Sequence, residues 1–76
     1  MAFYTMLNII LSSVSVRAKR SGWDKSYIKR EYNSHTNKVE VVLYMKYAFS
    51  DPYVKTLYIP MNEDLVAEDW EVEIIE

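Results

Sequence analysis

Between Val39 and Phe49 the chain alternates without a break. Val39, Val41, Leu43, Met45, Tyr47 and Phe49 stand at odd positions, and Glu40, Val42, Tyr44, Lys46 and Ala48 at even ones. Successive side chains of an extended strand point to opposite faces, so this period of two predicts a strand. Both of its faces carry apolar groups, which places it in the middle of a sheet or under a neighbouring subunit. Its partners are readable on either side. Residues 26–32 predict a strand, and Asn33-Ser34-His35-Thr36-Asn37-Lys38 the polar loop of a hairpin. Asp51-Pro52 predicts a turn, followed by a strand from Tyr53 to Ile59 that Pro60 ends. Trp70, Val72 and Ile74 alternate with Glu71 and Glu73 in a last strand, and Val14 and Val16 predict a short early one.

One segment has the other period. Phe3, Met6, Leu7, Ile10 and Leu11 recur at helical spacing, predicting a helix over residues 2–12, with Tyr4 and Ile9 off the stripe as a second buried face. Asn62 is placed to cap a helical turn over residues 63–68. The expected fold is α+β, a single domain over residues 1–76. One N-terminal helix packs on an antiparallel sheet of about five strands, with a short helical turn before the last strand. The only glycine, Gly22, lies in Arg20-Ser21-Gly22-Trp23-Asp24 and is expected to meet a positive φ or a close backbone approach.

Seventy-six residues sit near the size at which one core is marginally stabilising. No cysteine is present, so neither disulfides nor thiolate metal sites act as staples. Half the residues are hydrophobic and seven are tyrosine, more than one small core hides, so self-association is expected. Met1 to Val16 is apolar, but Thr5, Asn8 and a run of serines interrupt it and no basic residue precedes it. It reads as a core helix rather than a signal or anchor, which predicts a cytosolic protein without membrane partners.

The net charge of −2 hides a lopsided distribution. Arg17, Lys19, Arg20, Lys25, Lys29 and Arg30 crowd one segment, and Glu63, Asp64, Glu68, Asp69, Glu71, Glu73 and Glu76 another. Such asymmetry marks either an anion site or two segments that neutralise each other. The slightly negative whole argues against a DNA or RNA polymer as partner.

Little here supports catalysis. His35 is the only histidine and lies in a polar loop, a solvated turn residue. The acidic residues show no metal-ligand spacing, no glycine-rich phosphate loop exists, and no cofactor is expected. The chemically pointed group is Arg17, Lys19, Arg20, Gly22, Trp23, Lys25 and Tyr27. An indole beside cations and a glycine is the means of stacking a purine while charge-assisted bonds hold its phosphates. The competing reading makes Trp23 a core residue, and Trp70, followed by strict alternation, reads as core.

Phe3-x-x-x-Leu7 in the helix, Arg20-Ser21-Gly22-Trp23, and Asp64-Leu65-Val66-Ala67-Glu68-Asp69-Trp70-Glu71-Val72 near the end together resemble the phage Thoeris anti-defence sponge family, second type. Its helix usually ends in a glycine, where this chain has Ser12-Ser13. The resemblance implies a non-enzymatic homotetramer whose interface pockets capture a cyclic ADP-ribose isomer, keeping this immune signal from its effector in the cytoplasm of the infected host. Some members also hold cyclic oligonucleotides, which widens the ligand class. Carried over by position, it implies that Trp23 stacks on an adenine and Arg20 favours the diphosphate. Phe3 lines the pocket, Asn62 and Asp64 meet ribose hydroxyls, and Trp70 and Leu65 anchor the terminal turn. The alternative from a different class is an interaction module that inhibits a host defence or CRISPR protein through its tyrosines and acidic surface.

Overall fold

The computed structural model describes residues 1–46 and 52–75. The elements are α1 (Phe3–Ser12), β1 (Val16–Arg20), β2 (Tyr27–Asn33), β3 (Lys38–Met45), β4 (Val54–Leu57), α2 (Asn62–Val66) and β5 (Trp70–Ile74). The strands form one antiparallel sheet in the order β4-β3-β2-β1-β5. This is an α+β fold. β3, the strand with two apolar faces, lies inside the sheet between β2 and β4, as its pattern requires. The expected continuation through Tyr47 and Phe49, and Asp51 of the turn, lie outside the described residues.

The core is one stripe of helix on the sheet. Phe3, Met6 and Ile10 of α1 pack on Ala18, Ile28 and Trp70, and Leu7, Val16, Leu43 and Val72 close around them. Met6, Ile10, Ala18 and Ile28 are wholly inaccessible. Tyr4 does not form a second buried face. It is 67 % exposed, its ring edge-on to Phe3 from outside, because α1 has a sheet on one side only. At the end of α1 the Ser12 hydroxyl donates back to the Asn8 and Ile9 carbonyls, and Ser13 is extended at φ −148°. The chain leaves the helix without a left-handed residue, so this junction does not call for a glycine.

β1 lies two residues later than the valines predict. Val16, Ala18 and Arg20 face the helix while Arg17 and Lys19 face away, and a strand with so much charge hides its own alternation. The inward Arg20 is tolerated because carboxylates meet it. Arg17–Glu73 at 2.8 Å, Arg20–Asp69 at 3.0 Å and Arg20–Asp64 at 3.5 Å join the basic and acidic segments within one chain. Mutual neutralisation is thus realised along the β1–β5 pairing, which runs in register from Val16↔Ile74 to Arg20↔Trp70. The front of the chain is tied to the same place. The Met1 amine donates to the Glu68 and Trp70 carbonyls, each at 2.9 Å, and Trp70 N–H donates to the Met1 carbonyl at 3.2 Å.

Two local expectations are corrected. Gly22 has no positive φ, and a Cβ built on it meets nothing within 4 Å. The left-handed residue is Asn37, at φ 59° in the β2–β3 hairpin, where asparagine is tolerated. Gly22→Ala is therefore expected to fold, with thermal stability within about 0.5 kcal/mol of the parent. A melting curve lowered by several degrees would show a constraint at Gly22 that the open space around it does not predict. The second correction concerns Asn62, which is the first residue of α2 and does not cap it; the cap position is Met61. Asp64, three residues on, accepts from the Met61 N–H at 3.1 Å, and the Asp64 N–H donates back to the Met61 carbonyl at 2.9 Å. The carboxylate of the first turn thus does the work expected of Asn62.

Candidate functional site

Trp70 is the pivot around which the candidate residues gather. Its indole is 2 % exposed and its Nε1–H donates to the Asp64 carbonyl at 3.1 Å. Phe3 lies edge-on to it at 5.9 Å between centroids, and Trp23 lies edge-on at 5.2 Å with an interplanar angle of 79°. Trp23 arrives there by a tight turn, its N–H donating to the Arg20 carbonyl at 2.9 Å. Trp23 is half-buried, so the chain gives part of the indole to the core and part to a surface.

That surface is an open groove of ≈ 430 Å³. α1 leans over β5, β1 and β2, leaving the helix-side face of β3 uncovered by it. Leu43 and Met45 of β3 line the groove together with Trp23 and Gly22, and Asp24, Lys25, Ser26 and Lys46 complete its rim. The Lys46 ammonium rests over the Tyr53 ring, 4.6 Å from its centroid, and Lys25 lies 3.7 Å from the Asp24 carboxylate. An aromatic wall and an apolar floor, with Lys25 beside them, suit a flat ring that carries phosphates, while the Lys46 ammonium is engaged with Tyr53.

Beside the groove, and linked to it through Trp70, is a polar knot centred on Asp64, whose residue is 6 % exposed. Its Oδ2 accepts from the Tyr58 hydroxyl at 2.9 Å and from Met61 N–H, and its Oδ1 faces Arg20 Nη1 at 3.5 Å. The Arg20 Nε donates to Asp69, which also accepts from the Ser21 hydroxyl at 2.8 Å. Burial and then the hydrogen bond to Asp64 hold the Tyr58 phenol well above its usual range, so it stays a donor. The Arg20 hydrogen bond, followed by that of Ser21, holds the Asp69 carboxyl below the usual carboxylate range, and the Asp69 bond raises Arg20.

The five residues expected at the site therefore divide. Trp23 lines the groove. Arg20 and Asp64 are brought together, but facing each other, with Arg20 shared between two carboxylates. Phe3 is 4 % exposed, on the core side of Trp70, and Asn62 is exposed at the start of α2. Leu65 does not anchor the terminal turn, being 38 % exposed; Trp70 does. Sequence reasoning missed Leu43, Met45 and Lys46 as groove residues and Tyr58 as a partner of Asp64. Leu43 and Met45 belong to the strand's apolar row, which carries no sign of where the helix stops covering it.

A depressed Asp69 has a pH consequence whose sign is fixed. The ionised form is favoured by folding, so the stabilisation is complete above the unfolded value of about 3.9 and is lost as pH falls through the lower folded value. Thermal unfolding followed between pH 7 and 2.5 should show the parent losing stability on the acid side. Asp69→Asn should start lower and lose less over that range; coincident acid limbs would remove Asp69 from the account.

Among the described residues no three His, Cys, Asp or Glu side chains gather to hold a metal, and no helix is long and apolar enough to cross a membrane. Comparison with curated proteins and with solved structures found no significant match. The profile of one domain family does match, over residues 1–73 of the 76. With nearly the whole chain covered, helix and last strand included, the protein belongs to the Thoeris anti-defense 2-like domain family, whose role is anti-defence.

Proposed function

We propose that this is a phage protein that binds a cyclic nucleotide immune signal and sequesters it without degrading it. The signal is a cyclic ADP-ribose isomer, and cyclic oligonucleotides extend the class. The observation that carries the reading is the Trp23 groove, an indole held edge-on by a buried tryptophan beside Leu43 and Met45, in an open space of ≈ 430 Å³ that Lys25 also lines. In this reading Trp23 stacks on the adenine and the Lys25 ammonium meets the diphosphate. Arg20 and Asp64 act first on each other, and reach ligand only if the ion pair opens; Phe3 supports the aromatic stack from the core, and Asn62 is free to meet a ribose hydroxyl. An open groove on a single chain is completed by a neighbouring copy in a homotetramer. The protein acts in the cytoplasm of the infected bacterium, and it holds the signal without turning it over.

Isothermal calorimetry against cyclic ADP-ribose isomers and cyclic dinucleotides tests this. Saturable binding is expected, with the ligand recovered chemically unchanged after heat denaturation. Failure to bind any of them, or recovery of a cleaved product, overturns it. A second reading, inhibition of a host defence or CRISPR protein, is favoured by the apolar surface around α2, where Ile59, Met61 and Val66 are 77 %, 62 % and 78 % exposed. A stoichiometric host protein retained by the Trp23→Ala variant, in the absence of any nucleotide, would favour it.

A further inference from the structure

The indole that faces the groove is carried by a stretch without regular secondary structure. Residues 21–26 join β1 to β2, and Trp23 follows Gly22, which has no side chain and open space where a Cβ would stand. A glycine leaves the backbone beside it many conformations, so other contacts must fix the ring. The near end of the connection is Arg20, seated in the sheet opposite Trp70. Its carbonyl accepts from the Trp23 N–H at 2.9 Å, closing a four-residue turn. One carboxylate grips the first two residues of that turn. Asp69 accepts from Arg20 Nε on Oδ1 at 3.0 Å and from the Ser21 hydroxyl on Oδ2 at 2.8 Å. The next residue, Trp70, meets the last residue of the turn, its ring edge-on to Trp23 at 5.2 Å. Asp69 and Trp70 thus hold the turn at both ends, yet Asp69 does not line the groove.

We propose that Asp69 is a positioning residue for the groove: its carboxylate sets the turn from Arg20 to Trp23, and with it the pose of the indole that receives the ligand. The inference rests on the groove reading above and assigns the part Asp69 plays in it. Both of its bonds are charge-assisted, and together they orient two consecutive residues from one fixed point. A ring already held in place loses less freedom when a ligand stacks on it. The Asp69 side chain is 38 % exposed, and an ion pair so open to water contributes only modestly to stability. Its removal leaves Arg20 facing Asp64 at 3.5 Å, so Asp69→Ala is expected to fold.

The test pairs calorimetry, using a cyclic ADP-ribose isomer, with acrylamide quenching of tryptophan emission, both well below the melting midpoint. Trp70 is 2 % exposed, so the quenchable emission is that of Trp23. Asp69→Ala should weaken binding by about threefold to tenfold, the cost of ordering a loosened side chain, and should steepen the quenching slope of the free protein. In a Trp23→Ala background the same change should alter affinity by less than about twofold, because its effect passes through the ring. An equal loss in both backgrounds means that Asp69 touches the ligand itself, and overturns the proposal. So does an Asp69→Ala variant with the parent's quenching slope, whatever its affinity. If circular dichroism shows Asp69→Ala unfolded, Ser21→Ala carries the test, since it removes one grip and keeps the Arg20 ion pair; a steeper slope supports the proposal and an unchanged one overturns it. A parent that binds no cyclic nucleotide overturns the groove reading, and the quenching slopes then decide the role of Asp69 on their own.

Discussion

Trp70→Ala is expected to unfold most of the protein at 37 °C. Removing a buried tryptophan typically costs about 3–5 kcal/mol, and a chain of this length has only about 4–11 kcal/mol in all. The loss here falls on one place many times over. Phe3 and Trp23 lose the ring they lean on, and the Asp64 carbonyl loses its donor. A fall in melting temperature of about 20 °C or more follows from the size of the domain. Trp70→Phe keeps the ring and removes the N–H, so it should fall between the two, about 1–2 kcal/mol below the parent in cost of the lost bond and volume. Circular dichroism melts of the three proteins settle the matter. An alanine variant that melts within a few degrees of the parent would mean that the core does not turn on this indole.

Trp23→Ala is expected to have the opposite profile, a large loss of ligand affinity with the fold kept. Stacking of a base on an aromatic side chain is worth about 1–3 kcal/mol, so affinity for a cyclic nucleotide should fall by about tenfold to a hundredfold. The indole is only half-buried and its turn is closed by backbone, so the far-ultraviolet spectrum should be preserved. Trp23→Phe should recover part of the affinity, because a smaller ring still offers a face. Calorimetry showing unchanged affinity in the alanine variant would move the ligand elsewhere and leave the groove as mere surface.

The fold was largely legible because its elements announce themselves by period. The unbroken alternation of residues 39–45, the helical stripe of Phe3, Met6 and Ile10, and the Trp70–Val72–Ile74 alternation all reappear as β3, α1 and β5. β1 was misplaced because its single wholly buried side chain is an alanine set between cations. Gly22 and Asn62 misled for one reason. Residue type says what backbone a position can tolerate, and the neighbours decide whether it is needed. The site was legible only as a neighbourhood. Trp23 lines the groove, but Arg20 and Asp64 read equally well as ligand groups or as each other's counterions. Only the placement of α2 against β1 in the folded chain shows that they meet. The groove's floor was invisible, since nothing in Leu43 and Met45 reveals that α1 leans away from them.

The pairing of β1 with β5 brings together residues 56 apart, as in the Arg17–Glu73 pair, and α1 seals that junction. The molecule is therefore clasped where its first and last described elements meet and most open to solvent in mid-chain, at the hairpin of residues 34–37 and the exposed β4. Most small domains fray at the tips and hold at the waist. In this one, drift and insertion are best absorbed at the waist, and divergent relatives should vary most in how that segment is shaped.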